Sequence, residues 1–536
     1  MHNNNQKFLP QSLAGPVLLL IGSLGLFAQT NVLVNRYDPF SQGAATNERI
    51  LTPARVNSSS FGKVFSYYID GASYAQPLYV SNVEIVGQGT HNVVYVVTMN
   101  DKVYAFDAER AGAPLWMRDL ADERKGITPA PIVDVTNDND LNIVGNAGIE
   151  STPVIDLTSQ SLYLVARTKE SGHHFQRLYR LDLRDGKDLT PPAIIEASVK
   201  GTAKDAAGGM VRFDPRVANQ RPALALTNGT VVIAWASHED IGPYHGWIMA
   251  YDAKDLHQTG VLCITPDTDE GGIWQSGRGP AVGENGALYF ETGNGGWDGQ
   301  KNFGSSVIKV TSTSNGLSVD DYFTPHNYQE LNRRDTDVGS TGPLLLPAMN
   351  LLVCGDKKGD VFLLRPDHLG HLSSKDAGVV QRVPLNAGRV MAGPAFWDGP
   401  SGPTLFLWNE SGVPVALRFH AGVLQPAPVL KGSVASHGSP GGALTVSADG
   451  HAGGSGIVWA VVGHSGSADH GNVPGALHAF AADSLKELWN SEQNATRDRL
   501  GTLVKFVPPL VVAGRVYVPS YDNSVQVYAP LAAASR

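Results

Sequence analysis

Cysteine is almost absent from this sequence of 536 residues. The two cysteines, Cys263 and Cys354, lie far apart and form no CxxC or CxxCH motif. This spacing excludes a zinc knuckle and covalent c-type haem, so we expect no haem. An isolated cysteine is among the most buried of residue types. We therefore predict two buried thiols that do not pair with each other.

Long basic runs are also missing. Lys and Arg total 41 against 50 Asp and Glu, so the formal net charge is −9. Binding to nucleic acid requires a basic footprint that neutralises phosphates. The composition therefore excludes nucleic acid as an expected partner and indicates a solvated, acidic surface.

Long hydrophobic runs are confined to the N-terminus. An apolar stretch from Leu13 to Phe27 follows Lys7 and precedes the small residue Ala28. It is about 15 residues long, shorter than the roughly 20 that a membrane-spanning helix needs. This pattern predicts a signal peptide at residues 1–28. We expect an exported protein (periplasmic, secreted or at the cell surface) with no membrane span in the mature chain; an uncleaved anchor is the alternative.

The chain is rich in turn residues placed between short strand-like runs. It contains 59 Gly and 33 Pro. Residues 76–120 include the runs QPLYV, VVYVVTM, KVYAFDA and PLWMRDL, which are rich in Val, Tyr, Phe and Leu and separated by turns. Each run has the length and composition of a β-strand. One four-stranded antiparallel sheet of this kind has two faces to cover, so it needs copies of itself on either side.

Prolines mark the copies. A proline stands just ahead of a short apolar run at eight places: Pro77, Pro153, Pro222, Pro280, Pro343, Pro394, Pro440 and Pro509. Proline has no N–H for a ladder hydrogen bond, so within sheets it occurs at strand starts or on edges. The turns Asn228-Gly229 and Asn285-Gly286 follow at matching places and favour hairpins. Eight marks predict eight repeats.

The last repeat is one strand short. Only three strands fit between Pro509 and Pro530, whereas residues 63–70 precede the first mark with no partner. We predict that this early strand completes the final sheet, which leaves only short, protected edges. The predicted fold is therefore all-β, an eight-bladed β-propeller of four-stranded antiparallel blades; a parallel β-helix has a much shorter repeat. The predicted divisions are the signal peptide, an N-terminal extension at 29–58, the propeller at 59–530 and a C-terminal tail at 531–536.

The repeats resemble those of a known family. The strings VYAFDA followed by PLW, and ALHAFAA followed by KELWNSE, are similar to the quinoprotein-type propeller repeat of pyrroloquinoline quinone (PQQ) dehydrogenases. The resemblance covers roughly residues 60–530 and implies the eight-bladed fold. Related repeats also occur in non-catalytic outer-membrane assembly lipoproteins, so the resemblance does not by itself imply an activity.

Two classes of loop share one rim of such a propeller. These are the loops that lead into the first strand of each blade and the loops between the second and third strands. We expect the ligand-binding residues in these loops, and the candidates are Glu150, His238, His245, Trp274, Gln275, Asn294, Asp337, His437 and His464. No HxH or HExxH motif occurs, so a metal site would have to be assembled from several blades.

The family resemblance also implies a cofactor site. In PQQ dehydrogenases the quinone lies at the centre of the ring on a calcium ion held by Glu, Asn and often Asp, with an aspartate as base and a tryptophan as floor. The residues of these types in suitable loops are Glu150, Asn294 and Asp335 or Asp337, with Trp274 as a stacking surface. Oxygen ligands of this kind suit calcium. The adjacent-cysteine pair that many members have is absent.

Three hypotheses about function follow. The first is an exported binding module that takes a small molecule, a glycan or a surface protein at its rim. The second is a PQQ- and calcium-dependent dehydrogenase of an alcohol or sugar. The third is a hydrolase or lyase with a site of rim histidines and carboxylates. The candidates for a catalytic role are Asp337, His245 and His437.

Overall fold

The computed structural model describes most of the chain. The described residues are 1–2, 30–136, 143–313 and 316–532. All but the first two residues of the predicted signal peptide, and the last four residues of the predicted tail, lie outside these ranges. Within the described ranges, no helix is long and apolar enough to cross a membrane.

Eight antiparallel sheets follow one another along the chain, and each is built on four main strands. We number them blades 1 to 8. Blade 1 contains Leu78–Ile85, Gly89–Val97, Lys102–Asp107 and Trp116–Asp119, and blade 2 contains Val154–Asp156, Ser161–Glu170, His173–Asp182 and Ala193–Ile194. Blade 3 contains Ala225–Thr227, Thr230–Ser237, Trp247–Asp252 and Gln258–Cys263, and blade 4 contains Ala281–Val282, Leu288–Glu291, Val307–Thr313 and Gly316–Thr324. Blade 5 contains Leu344–Leu346, Leu351–Gly355, Asp360–Leu364 and Gln381–Pro384, and blade 6 contains Ala395–Gly399, Gly402–Leu407, Val415–His420 and Val423–Leu424. Blade 7 contains Ala443–Ser447, Ile457–Gly463, Pro474–Ala481 and Glu487–Asn490, and blade 8 contains Leu510–Val512, Arg515–Ser520, Ser524–Pro530 and Phe61–Tyr68.

Smaller elements decorate the blades. The additional strands are Ala44–Ala45, Ile127–Pro129, Ser198–Lys200, Met210–Arg212, Ala218–Asn219, His371–Leu372, Leu430–Lys431 and Gly501–Thr502. The α-helices are Tyr328–Arg334 and Ala495–Asp498, and the 3₁₀ turns are Glu123–Lys125, Ile132–Asp134, Gln275–Gly277 and Pro347–Met349. The predicted all-β, eight-bladed propeller is confirmed.

The marker prolines stand where the strand argument places them. Six of the eight immediately precede the first strand of their blade, as Pro77 precedes Leu78–Ile85, while Pro222 and Pro440 stand three residues ahead of it. Each first strand can therefore keep its ladder hydrogen bonds, because the residue without an N–H lies outside it.

Blade 8 closes the ring in the predicted way. The strand Phe61–Tyr68 pairs antiparallel with Ser524–Pro530, from Phe61 opposite Pro530 to Tyr68 opposite Ser524. It supplies the outermost strand of the sheet. The two ends of the propeller are therefore joined by backbone hydrogen bonds between residues more than 450 positions apart.

The hydrophobic core is divided among the blade interfaces. Eight clusters of buried side chains each join two neighbouring blades, including blades 8 and 1. At that closing interface, Tyr67 stacks on Phe106 with ring centroids 4.3 Å apart. Both cysteines are buried and unpaired, as predicted. No blade covers its own two faces, so each depends on its neighbours.

An element without a predicted structure runs along the inner edge of the ring. Residues 30–48, here called the channel segment, lie within the predicted N-terminal extension. Six of its backbone carbonyls accept hydrogen bonds from first strands: Val32 from Tyr79, Leu33 from Ile155, Pro39 from Val282, Phe40 from Leu345, Gln42 from Phe396 and Gly43 from Val446, at 2.7–3.0 Å. Val32 pairs with Tyr79 of blade 1, and the Tyr37 hydroxyl accepts from Val511 of blade 8. Through these hydrogen bonds the segment contacts blades 1, 2, 4, 5, 6, 7 and 8.

Candidate active site

All eight blades contribute to one central pocket. Its volume is about 340 Å³, within the range of small-molecule sites. Both predicted loop classes supply its walls. The lining residues include Tyr74, Ile143, Arg221, His238, Glu239, Asp240, Trp274, Asn294, Asp335, Asp337, Lys357, Arg389, Met391, Asp469, Lys505 and Phe506.

Four of the predicted rim residues line this pocket: His238, Trp274, Asn294 and Asp337. Gln275 is buried beside Trp274, where its side chain accepts a hydrogen bond from the Glu291 N–H at 2.9 Å and donates to the Arg278 carbonyl. Gln275 therefore supports the turn that carries Trp274.

Glu150 contacts the pocket-lining His238 from inside the protein. Its side chain is 2% exposed, and Oε1 lies 3.2 Å from His238 Nε2 and 3.9 Å from an Arg167 nitrogen. Burial alone would raise the pKa of Glu150, but the imidazole of His238 and the guanidiniums of Arg167 and Arg221 outweigh it and hold the pKa below its usual value. Both carboxylate oxygens are buried and accept no hydrogen bond from any described residue, so these neighbours stabilise the charge of Glu150 without satisfying its oxygens.

The other predicted histidines lie elsewhere. His245 is buried between the Thr265 carbonyl, 3.0 Å from Nδ1, and Asp205, 3.1 Å from Nε2. His437 and His464 line a separate cavity of about 190 Å³. The structure therefore divides the predicted rim set between two cavities and three buried positions, those of Glu150, His245 and Gln275.

One wall of the pocket gathers oxygen ligands. Asn294 donates from Nδ2 to Asp335 Oδ1 at 2.8 Å. Its amide oxygen is buried and accepts no hydrogen bond from any residue that the structure describes. Lys357 pairs with Asp335 and, at 2.9 Å, with Asp337 Oδ2, while Asp337 Oδ1 accepts from the Gly339 N–H. The side chain of Asp335 is 58% exposed and that of Asp337 is 1% exposed.

The carboxylates of this wall affect each other's protonation. Burial raises the pKa of Asp337, and the ion pair with Lys357 opposes that rise. The pKa of the nearby Glu270 is also raised, first by burial and then by the negative charges of Asp269, Asp240, Asp335 and Asp337. Negative charge therefore exceeds what Lys357 can balance, and the wall favours a cation.

The pocket wall formed by loops of blades 3, 6 and 8 is basic. Arg221 is buried, and its guanidinium carbon lies 4.9 Å from the centre of the Tyr74 ring. Arg389 pairs with Glu410 and, at 2.7 Å, with Asp469, whose carbonyl accepts from Lys505 Nζ. Burial lowers the pKa of Arg221. An anionic ligand could be bound by this wall while the other wall holds a cation.

The Trp274 ring packs against two glycines. A Cβ on Gly272 would lie 2.7 Å from the Trp274 ring, and one on Gly293 would lie 2.5 Å from it. The indole N–H donates to the Ser237 carbonyl at 3.0 Å. The glycines in the strings GIWQSG and TGNGGWDG thus allow close packing against an aromatic ring.

The pocket also contains charged residues that sequence reasoning missed. These are Arg221, Lys357, Arg389 and Lys505. No motif marks them, because each is a single cation in a loop of ordinary composition. Only their position in the sequence could have identified them, because a residue in either loop class of the rim is placed to face the pocket.

Comparison with known proteins identifies similar folds. No protein-family model matches the chain, and no curated protein matches it. Among solved structures, a europium-containing methanol dehydrogenase is similar with a TM-score of 0.44 and 11% identity, over 91% of this chain and 81% of that chain. BamB from Moraxella catarrhalis is similar with a TM-score of 0.34 and 14% identity, over 63% of this chain and 91% of that chain. The chain is an eight-bladed propeller, the fold that its quinoprotein-like repeats predicted.

Proposed function

We propose that this protein is a PQQ- and calcium-dependent dehydrogenase of an alcohol or a sugar. The observation that carries the proposal is the convergence of Trp274, Asn294, Asp335 and Asp337 in one central pocket. They are the tryptophan, asparagine and aspartates that the family resemblance implies, and they come from loops of two different blades; the predicted glutamate, Glu150, does not line the pocket. Export of the protein remains part of the proposal.

The residues of the pocket fit both groups. Calcium takes oxygen ligands, and Asn294 has a buried amide oxygen that no described residue satisfies. With Asp337, Asn294 would hold the cation. The flat ring of Trp274 would form the floor for a planar quinone, and Arg221, Arg389 and Lys505 would face its acidic groups.

The bound quinone would supply a two-electron acceptor for the oxidation of an alcohol to a carbonyl compound. The protein's own task is to bind the substrate hydroxyl and take its proton. Asp335 is the carboxylate exposed to a substrate, and the Asn294 amide fixes its Oδ1. Asp337 was the sequence-based candidate for the base, but its burial and its bond to the Gly339 N–H favour a holding role.

The pocket also bears on the binding-module hypothesis and on the hydrolase or lyase hypothesis. A binding module would use the same walls, and it differs from a dehydrogenase in having no turnover. A hydrolase or lyase that uses His245 or His437 has less support, because neither residue lies with the carboxylates of the pocket.

Reconstitution tests the proposal. The purified protein, incubated with PQQ and Ca²⁺, is expected to acquire quinone absorbance and to reduce a dye in the presence of a panel of alcohols and sugars. Asp335→Asn should lower kcat by about 100-fold or more, the usual size of a general-base contribution, without weakening quinone binding. Asn285→Ala, in an exposed turn of blade 4, is the control. Absence of both quinone absorbance and turnover would refute the proposal, and bound quinone without turnover would support a binding module.

A further inference from the structure

The turn that carries Trp274 ends at a buried arginine. Arg278 is 3% exposed, and its carbonyl accepts a hydrogen bond from the Gln275 side chain at 2.9 Å. The Arg278 N–H in turn donates to the Gln275 carbonyl at 2.8 Å. Gln275 and Ser276 both have φ of +48°, a conformation that persists only where the surroundings hold it. Because Gln275 directly follows Trp274, the support of this turn bears on the indole ring.

The Arg278 guanidinium leaves the turn and reaches the channel segment. Nη1 donates to the Ser41 carbonyl at 3.1 Å, and Nη2 donates to the Pro394 carbonyl at 2.7 Å. Ser41 belongs to the channel segment, and Pro394 is the marker proline of blade 6. A guanidinium presents its N–H groups in a rigid fork, so hydrogen bonds to two acceptors fix its position. One side chain therefore joins the Trp274 turn to the channel segment and to blade 6.

The channel segment binds the same carbonyl through a second arginine. Arg36 is also 3% exposed, and its Nη2 donates to the Pro394 carbonyl at 3.0 Å, while Nη1 donates to the Leu444 carbonyl. Burial and the charge of Arg36 lower the pKa of Arg278. A buried charge that loses a partner keeps its desolvation cost. Displacing either guanidinium from these carbonyls is therefore costly.

Two glycines make room for the Arg278 side chain. A Cβ on Gly342 would lie 2.7 Å from Arg278 Cδ, and one on Gly393 would lie 2.7 Å from Nη2. Both glycines have positive φ, +80° and +67°, and each directly precedes a marker proline, Pro343 or Pro394. The side chain thus passes between the entries to the first strands of blades 5 and 6, where close packing leaves it little freedom.

We propose that Arg278 is a positioning residue that fastens the Trp274 turn to the channel segment and thereby sets the position of the indole ring in the pocket. The channel segment then supports the pocket floor, although none of the described residues 30–48 lines the pocket. The consequence for quinone binding rests on the proposed function, in which the Trp274 ring is the floor. The consequence for the ring itself does not.

Fluorine NMR of the full chain labelled with 5-fluorotryptophan tests this role without a ligand. The chain contains nine tryptophans, and Trp274→Phe identifies the Trp274 resonance. Arg278→Lys keeps the charge and loses the fork, so we expect the Trp274 resonance to shift or broaden more than those of the other tryptophans. Gly393→Ala, whose Cβ would push the guanidinium off the Pro394 carbonyl, should change the same resonance.

Two controls are matched to these changes. Arg180→Lys alters a guanidinium that also has two acceptors, the Ser161 hydroxyl at 2.9 Å and the Lys254 carbonyl at 2.7 Å, in blades 2 and 3. Gly402→Ala adds a Cβ at another glycine with positive φ, +98°, where it meets no atom of a described residue within 4 Å. Both variants should keep the Trp274 resonance at its wild-type position.

Titration with PQQ, followed by its absorbance, measures the functional consequence. Arg278→Lys and Gly393→Ala should each weaken PQQ binding by about 3- to 10-fold, the range that one aromatic stacking contact contributes. The double variant should bind at most about 2-fold more weakly than the weaker single variant, because both changes disturb the same contact.

The outcomes separate the role of Arg278 from the function of the pocket. An unchanged Trp274 resonance in either variant, if folded, would overturn the role, and so would equal changes in all tryptophan resonances, which indicate general loosening. Failure of both variants to fold would assign Arg278 to the stability of the ring alone and would also overturn it. A selective change at Trp274 in a chain that binds no PQQ would support the role and reject the dehydrogenase.

Discussion

Single residues set the charge of the central pocket. Lys357 is 17% exposed and pairs with both Asp335 and Asp337, so its ammonium group supplies the positive charge between the two carboxylates. The charges of Asp337 and Asp335 raise the pKa of Lys357 although burial would lower it. A buried carboxylate that loses its partner keeps its desolvation cost without the compensating attraction.

Replacing Lys357 should therefore destabilise the protein in a way that Ca²⁺ reverses. We expect Lys357→Met to lower the free energy of unfolding by about 3–5 kcal/mol, the usual cost of leaving a buried charge unpaired. Added Ca²⁺ should restore much of this loss, because a cation at Asp337 replaces the missing charge. Urea denaturation with and without Ca²⁺ measures both effects. Lys358→Met, a change at the neighbouring position, is the control, and equal effects of the two variants would contradict the assignment.

A second buried carboxylate predicts a pH dependence. Burial raises the pKa of Glu291 to about 8, against the opposing hydrogen bonds from the Gly342 and Thr341 N–H groups. Because the folded protein holds this proton more tightly than the unfolded chain, stability is full below the unfolded pKa and is lost as the pH rises towards the folded one.

The variant Glu291→Gln should remove this pH dependence. Wild type is expected to lose about 1 kcal/mol of stability per pH unit from this group between about pH 5 and pH 8, whereas the glutamine variant lacks that contribution. The two stability curves should therefore converge or cross as the pH rises. Denaturant titrations across this range measure the difference, and parallel curves would refute the shifted pKa.

At the scale of elements, short glycine-bearing strings fix the floor of the pocket. Trp274 lies against Gly272 and Gly293, which belong to two neighbouring loops of the rim. The first of these loops continues into a turn whose Gln275 and Ser276 both have φ of +48°. Close packing on one side and a constrained turn on the other leave the indole little freedom.

A methyl group on one of these glycines should displace the floor. Gly293→Ala would place a Cβ 2.5 Å from the Trp274 ring, and such overpacking costs about 1–3 kcal/mol. We expect lower thermal stability, altered tryptophan fluorescence and weaker quinone binding. Gly471→Ala is the matched control, since a Cβ there meets no atom of a described residue within 4 Å. Unchanged fluorescence in Gly293→Ala would show that the ring is free to move aside.

At the scale of the whole molecule, stability depends on closure of the ring. Each blade buries its faces only against its neighbours, and the strand Phe61–Tyr68 joins the ends of the propeller. Removing that strand would expose the outer edge of blade 8 and part of the interface with blade 1. The channel segment adds further bonds between blades along the inner edge.

Truncations should rank these contributions. A chain that lacks residues 61–68 is expected to fold poorly or to melt far below wild type, whereas a chain that begins at residue 30 keeps every described contact of the blades. A chain that begins at residue 50, without the channel segment, should fall between them. Expression yield and melting temperature are the measurements, and equal values for all three chains would contradict closure by the early strand.

The sequence predicted the ring well because the signals for it are local. A proline marks each first strand through its missing N–H. The run at 63–70 lacked a partner and the last repeat lacked a strand, so the two were predicted to pair. The channel segment could not be predicted in the same way. Its hydrogen bonds come from backbone carbonyls to strands as distant as Val446, and no side-chain pattern encodes them.

The candidate site could be predicted only in part, for a related reason. Loop class placed Trp274, Asn294 and Asp337 on one rim, and the structure brings them into one pocket. Loop class alone cannot say which side chains turn inward. His437 thus lies in another cavity, and His245 is buried under its own loop. The cations that balance the pocket are isolated in sequence and become a group only when the blades are assembled.

The most direct measurement is diffraction from crystals grown with PQQ and Ca²⁺, with anomalous data to locate the ion. The proposal predicts a cation bound by the Asn294 amide oxygen and the Asp337 carboxylate, and a planar ligand lying on the Trp274 ring. Both should disappear in crystals of Asn294→Ala. A pocket that stays empty at saturating concentrations, with Lys357 still joined to Asp335 and Asp337, would contradict the account.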